Sequence, residues 1–245
     1  MKKKTKILSI VVVVLLALLV LAANMWRRQS LVRDIRVDID YGGIDTLVTA
    51  HQVEEQIRAA MPDLTSKMLR DVDLKAVEQI ASSSPYLIGC KAGTSISRNV
   101  VVFAEQRRPI VRVCAKEEYY LDEKGSHVPN SRVGSCDVVV ASGNILPKTQ
   151  GEKDIWALAN YLDQHPDLKP LFDQIYRDVK GDLYLTPKLG NHVVQVGDVD
   201  NLDDKFHRLM ALYTRGLPQA GWEKYSRVSV KYRGQVVCTK NQKEI

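Results

Sequence analysis

The sequence predicts an α+β protein: a single N-terminal transmembrane helix, a small β-α-α-β-β unit, then a mixed β-domain with flanking helices. Three observations carry this reading. Residues 7–23, ILSIVVVVLLALLVLAA, hold no charge and one polar side chain, Ser9. Downstream, segments that alternate with period two are interleaved with apolar stripes of helical period. Between the two groups stands Gln106-Arg107-Arg108-Pro109, where consecutive charges and a proline mark a hinge.

A helix over residues 7–23 rises roughly 26 Å, enough with Asn24, Met25 and Trp26 to cross a hydrocarbon core of roughly 30 Å. Lys2, Lys3, Lys4 and Lys6 precede it, and Arg27 and Arg28 follow. The N-terminal excess of positive charge assigns residues 1–6 to the cytoplasm and the chain after the span, residues 7–26, to the outside. The alternative is a cleaved signal peptide. The anchor is preferred because the run is long for a signal and Trp-Arg-Arg makes a poor mature start. Either way the bulk of the chain is exported.

The formal charge of +6 is mostly local. The first 26 residues hold four Lys and no acid, leaving 31 basic against 29 acidic side chains, which is no nucleic-acid footprint. Cys90, Cys114, Cys136 and Cys238 are far apart and without C-x-x-C spacing. They read either as up to two envelope disulfides, with three pairings open, or as thiols in strands, which is preferred. Neither they nor the five scattered histidines have the spacing of a metal site.

In order, residues 31–41 form a strand, with Ile35, Val37 and Ile39 on one face and Arg36, Asp38 and Asp40 on the other. Thr49 and Gln52 make a capping box for a helix with Val53, Ile57, Ala60 and Met61 inward, stopped by Pro62. A second helix starts near Asp73 and carries Leu74, Val77, Ile80 and Ala81 until Pro85. Strands at 86–91 and 99–105 complete the unit, assigned to residues 31–106.

Residues 107–245 form the second domain. Strands at 110–116 and 118–122 open it, and Val138-Val139-Val140 is another. A helix over 151–164 is capped by Thr149 with Glu152. Strands at 174–179, 182–186 and 192–196 follow. A helix opened by Asn201 carries Leu202, Phe206, Leu209, Met210, Tyr213 and Leu217 inward, with Gly216 as its C-terminal cap. The chain closes on strands at 227–232 and 235–240. In the first, Val228, Val230 and Tyr232 alternate with Arg227, Ser229 and Lys231.

Enzyme signatures are missing from the sequence: no S-x-x-K, K-T-G, G-x-S-x-G or H-E-x-x-H occurs. Gly134-Ser135-Cys136 with His127 faintly resembles a cysteine L,D-transpeptidase. That class wants Gly before the Cys and Arg after it, and a thiol beside Asp137 with no nearby cation lacks a nucleophile's lowered pKa. Asp203-Asp204 and the Asp198/Asp200 pair suit a helix N-terminus and need no catalytic role. The weight falls on binding, with no cofactor, metal or small-molecule substrate expected.

Several strings, in order and spacing, resemble the bacterial division family FtsQ/DivIB in its Bacteroidota-like version. They are Ser84-Pro85-Tyr86, Val101-Val102-Phe103-Ala104-Glu105-Gln106-Arg107-Arg108-Pro109-Ile110, and Tyr119-Tyr120-Leu121-Asp122 with Gly125. Leu202-Asp203-x-Lys205-Phe206 with Leu209 and Trp222-x-x-Tyr225 through Gln235-Val236-Val237-Cys238-Thr239-Lys240 complete them. The resemblance implies a cytoplasmic tail (1–6), a membrane helix (7–26), a POTRA domain (31–106) and a family-type β-domain (107–245). The tail is shorter than in many members, and the extension some carry after the last strand is absent.

The resemblance further implies a non-enzymatic divisome scaffold of the inner membrane, with its bulk in the periplasm at the septum. Its expected partners are the FtsB/FtsL pair (DivIC/FtsL elsewhere). Through them it would act on septal peptidoglycan synthesis by FtsW and FtsI, while the POTRA domain contacts FtsK or other divisome proteins. The partner site is expected at Tyr225, Arg227, Ser229 and Lys231 together with the last strand, Gln235, Val236, Val237, Cys238, Thr239 and Lys240. There a partner strand adds to an open sheet edge, and Arg227 and Lys231 meet acidic partner residues. The alternatives are a POTRA-containing envelope assembly or chaperone component and, third, a membrane-anchored cysteine transpeptidase.

Overall fold

In the computed structural model of the protein, the described residues are 12–23, 25 and 30–241. Residues 12–23 and Met25 are helical, and the valine and leucine side chains from Val12 to Leu21 are half exposed or more. Among the described residues no helix is long and apolar enough to cross a membrane. The expected tail (1–6), and residues 7–11, 24 and 26 of the expected span, lie outside the described residues. The remaining chain forms two units, divided between Gln106 and Arg107.

The first unit contains β1 (Asp34–Asp40), α1 (Ala50–Ala60), α2 (Leu74–Ser82), β2 (Leu87–Thr94) and β3 (Asn99–Gln106). The sheet order is β1-β3-β2, with β1 parallel and β2 antiparallel to β3. Parallel neighbours cannot be joined by a tight turn, and the two helices supply the crossover. The capping box forms as the sequence dictates: Gln52 N donates to Thr49 Oγ1 at 3.3 Å and Thr49 N to Gln52 Oε1 at 2.9 Å. Ile35, Val37 and Ile39 bury one face of β1 against Val53, Ile57, Val77 and Ala81. Buried Gln106 accepts from Leu47 N at 2.7 Å and donates to Asp45 O at 2.9 Å, tying the loop before α1 to β3. Gly89, at φ +68°, sits where the register between β2 and β3 shifts.

The second unit is one nine-stranded mixed sheet. Its strands are β4 (Pro109–Cys114), β5 (Glu118–Asp122), β6 (His127–Pro129), β7 (Val139–Gly143), β8 (Phe172–Arg177), β9 (Leu183–Pro187), β10 (Val193–Gly197), β11 (Tyr225–Ser229) and β12 (Val237–Lys240). They are ordered β12-β11-β10-β9-β8-β7-β4-β5-β6. Two helices, α3 (Gln150–Gln164) and α4 (Leu202–Ala211), cross between the parallel pairs β7/β8 and β10/β11. Both feed one core: Ile155, Leu158 and Leu162 join Phe206, Leu209 and Tyr213 over Ile175, Leu185, Val194 and Val228. Tyr161 and Phe206 stack at 5.1 Å, and Tyr161 OH donates to Asp203 at 2.9 Å, so the helices lie side by side.

The structure corrects the two expected helix caps and adds a strand, β6, to those expected. β6 is a strand of three residues, too short for alternation to register. Thr149 does not cap α3, because its hydroxyl donates to Leu146 O at 2.7 Å. Glu152 is instead buried, accepting from Lys148 N at 3.0 Å and Tyr119 OH at 2.5 Å, with His127 Nε2 at 2.9 Å. Burial disfavours its charge, but these bonds outweigh that and hold its pKa below the ordinary value. Gly216 does not cap α4, since the chain continues through a π-helical segment, Leu212–Gly216, in which Leu217 N donates to Leu212 O. A Cβ at Gly216 would meet Leu212 Cδ1 at 2.7 Å, so this glycine serves close packing. The helical run ends at Gly221, φ +92°. The four cysteines are thiols.

Candidate functional site

β12 is the terminal strand of the nine-stranded sheet. It pairs antiparallel with β11 in the register Ser229↔Val237, Val228↔Cys238 and Arg227↔Thr239, and a bulge separates these from Tyr225↔Lys240. Its other edge meets no strand among the described residues. Such an edge is a row of backbone donors and acceptors ready for another strand. The expected strand of 235–240 is shortened: Gln235 and Val236 belong to the connection, Gln235 exposed and Val236 packed partly on the core.

Alternation divides β12 between two faces. Cys238 turns toward the core opposite fully buried Val228, and burial pushes its thiol pKa up. Val237, 43 % exposed, and exposed Thr239 lie on the outer face. There Arg227 stands between Val193 and Thr239, exposed and in no ion pair among the described residues. Tyr225 packs partly on the core, with the Lys224 ammonium 5.8 Å from its ring. Asn241 closes the far end of the hairpin, its N donating to Lys224 O at 3.0 Å and its side chain to Glu223 O at 2.7 Å.

Two expected contact residues are engaged internally. Ser229 is only 4 % exposed, although alternation predicts a wet face. It lies in a row across the sheet, Tyr184–Gln195–Ser229–Val237, whose larger members cover it. The Lys231 ammonium bonds both oxygens of Asp182 at 2.8 Å, and Asp182 also accepts from Gln195 Nε2 at 2.9 Å. Tyr232, expected on the apolar face with Val228 and Val230, is 51 % exposed because the strand ends at Ser229 and the chain turns away.

From the helix side the connection is held by Arg208. Its guanidinium donates to Val230 O at 3.1 Å, to Tyr232 O at 3.0 Å and to Gln235 O, while Asp204 accepts from its Nε at 3.0 Å. A cleft of about 460 Å³ runs alongside, lined in part by Asp204, Arg208, Lys231 and Arg233. Sequence reasoning missed Arg208 and Asp182. The only signal for Arg208 is its place four residues after Asp204 on a helix, and Asp182 lies 49 residues from Lys231.

Of the constellation expected around Cys136, His127 is engaged by Tyr119, on which it stacks at 4.4 Å, and by the Glu152 carboxylate, which it faces. No cluster of metal-ligating side chains occurs among the described residues. What the β11–β12 edge offers is main-chain pairing beside a basic, partly apolar rim.

A family model described as FtsQ/DivIB, C-terminal related matches residues 108–239, from the start of β4 nearly to the end of β12. A search of curated proteins finds no match. That span is more than half of the 245 residues and takes in the whole nine-stranded sheet but for Lys240. The chain therefore belongs to the FtsQ/DivIB, C-terminal related family of bacterial cell division.

Proposed function

We propose that the protein is a non-enzymatic scaffold of the divisome that binds the FtsB/FtsL pair (DivIC/FtsL) by strand addition to β12. Through that pair it recruits or regulates septal peptidoglycan synthesis by FtsW and FtsI. The observation that supports this most directly is the place of β12 at the open edge of the sheet, inside the family-matched span. Added strands draw affinity from main-chain bonds and selectivity from side-chain pockets.

In this reading Val237, Thr239 and Lys240 line the added strand, with Tyr225 and Arg227 beside it and Cys238 seating β12 on the core. Arg227 and Lys240 meet acidic partner residues and tune on-rate and partner choice. Gln235 and Val236 lead the chain into the strand. Ser229 and Lys231 support the site from within.

The same proposal assigns the first unit as a POTRA domain, since two helices cover one face of its three-stranded sheet, and gives it recruitment contacts such as FtsK. Residues 7–26 anchor the chain in the inner membrane, with the N-terminus in the cytoplasm and the bulk in the periplasm at the septum. The charge-free run between Lys6 and Arg27 supports that topology.

The test is Val237→Pro in the full-length chain, purified from solubilised membranes with its bound proteins. Loss of FtsB/FtsL homologues, with circular dichroism and the melting profile kept, is the expected result. Retention of both by the folded variant contradicts strand addition at β12.

A further inference from the structure

One end of the first unit gathers apolar and basic side chains. Leu31 and Met68 form an isolated antiparallel bridge, flanked by Val32 N donating to Lys67 O at 3.0 Å and Leu69 N to Ser30 O at 2.9 Å. Beside them lies the β2–β3 turn, joined by Arg33 N donating to Arg98 O at 2.9 Å. The turn is defined by Arg98 N donating to Ser95 O at 3.1 Å, with Arg98 in the left-handed region at φ +66°. Three elements thus converge where β1 and β3 begin.

The exposed side chains there are large and apolar. Leu31 is 55 %, Met68 37 % and Ile96 86 % exposed. Over residues 30–106 one other large apolar side chain is exposed, Phe103, on the outer face of the sheet. Single exposed hydrophobes need no explanation, but three of these four lie at one end of the unit. Around them stand Arg33, Lys67, Arg70 and Arg98. Lys67 pairs with Asp63 at 2.9 Å and Arg70 with Asp71 at 3.4 Å. Arg33 and Arg98 are exposed and make no ion pair among the described residues. Asp34 is engaged by Arg58 at 2.7 Å and does not neutralise Arg33.

The occupant follows from the position of this end in the chain. Leu31 comes six residues after Met25, the last described helical residue of the apolar run. Six residues reach at most about 20 Å, so this end stays close to wherever that run ends. Apolar side chains beside two exposed arginines that make no ion pair among the described residues suit the boundary between acyl chains and anionic headgroups.

We propose that this end of the first unit rests on the outer surface of the membrane, with Leu31, Met68 and Ile96 dipping among the headgroups and Arg33 and Arg98 binding anionic lipid phosphates. The proposal rests on residues 7–26 being an anchor. It gives the unit a fixed orientation instead of a freely tumbling one.

The experiment uses the full-length chain in lipid nanodiscs, either phosphatidylcholine alone or phosphatidylcholine with phosphatidylglycerol, read by amide hydrogen exchange. The amides of Ile96 and Ser97 donate no hydrogen bond among the described residues, which makes them sensitive reporters. Expected is exchange at 96–97 slowed in anionic discs by about fivefold for each engaged arginine. An Arg33→Glu/Arg98→Glu variant and, separately, Ile96→Ser should restore it. Equal exchange in the two disc types, with the chain retained in both, overturns the proposal and leaves the anchor standing. Failure of the chain to enter either disc overturns the anchor and the proposal together. Slowing that appears only when FtsB/FtsL ectodomains are added assigns this end to a protein partner and overturns the lipid reading.

Discussion

The Lys231 ammonium lies 2.8 Å from both carboxylate oxygens of Asp182, joining the β11–β12 connection to the start of β9. Lys231 is about one third exposed, so the pair contributes little to global stability, about 0–1 kcal/mol. Its consequence is positional, because it fixes the chain that delivers β12 to the sheet edge. Asp182→Asn is expected to leave the melting temperature within a few degrees of wild type while weakening FtsB/FtsL binding severalfold. Lys231→Ala should do the same, and the double variant should be no worse than either single one. Titration of the three variants with partner ectodomains checks this. Additive losses would assign Lys231 a direct partner contact.

Arg208 makes the stronger clamp, because its guanidinium is mostly buried and donates to three carbonyls of the same connection. Of the three, the bond to the carbonyl of buried Val230 carries the most weight, about 1.5–3 kcal/mol for a charge-assisted bond, while those to Tyr232 and Gln235 are exposed. Arg208→Ala is expected to speed amide exchange over 231–240 and to weaken partner binding by about tenfold, with circular dichroism unchanged. Arg208→Lys should not restore it, since one ammonium cannot span carbonyls set by a planar fork. Comparison of exchange maps for the two variants is the check.

A pH dependence follows from His192. It is 2 % exposed, with Nε2 2.8 Å from Tyr213 OH and the ring beside Trp222 at the entry to β11. Burial pushes its pKa below 6.5, opposed more weakly by the Glu223 charge. The unfolded chain takes up this proton near pH 6.5 and the folded chain only at lower pH. Between those values the unfolded state binds more protons, so stability falls as pH drops through 6.5. The loss is expected to reach about 1.4 kcal/mol per pH unit at its steepest. Urea unfolding at pH 7.5 and 5.5 measures it, and His192→Gln should flatten the difference.

Much of this arrangement is legible in the sequence wherever it rests on periodicity. Ile35-x-Val37-x-Ile39, the Thr49/Gln52 box and the Leu202–Tyr213 stripe each specify an element through local spacing alone. The same logic fails where a distant partner decides. Glu152 looks like a capping residue until Tyr119, 33 residues away, claims its carboxylate. Ser229 alternates as a wet residue, yet its row neighbours Gln195 and Val237 come from strands whose register no local pattern reveals. The edge position of β12 is set by the strand order of the whole sheet. The clamps that hold it there, Arg208 and Asp182, come from a helix and a hairpin that only the folded sheet brings alongside.

The most direct measurement is amide hydrogen exchange on the full-length protein with and without the FtsB/FtsL ectodomains. Strand addition at β12 predicts new protection concentrated at residues 237–240, where backbone groups that now face solvent would pair with the partner. Protection elsewhere on the second unit, with 237–240 exchanging as in the unbound protein, would contradict it.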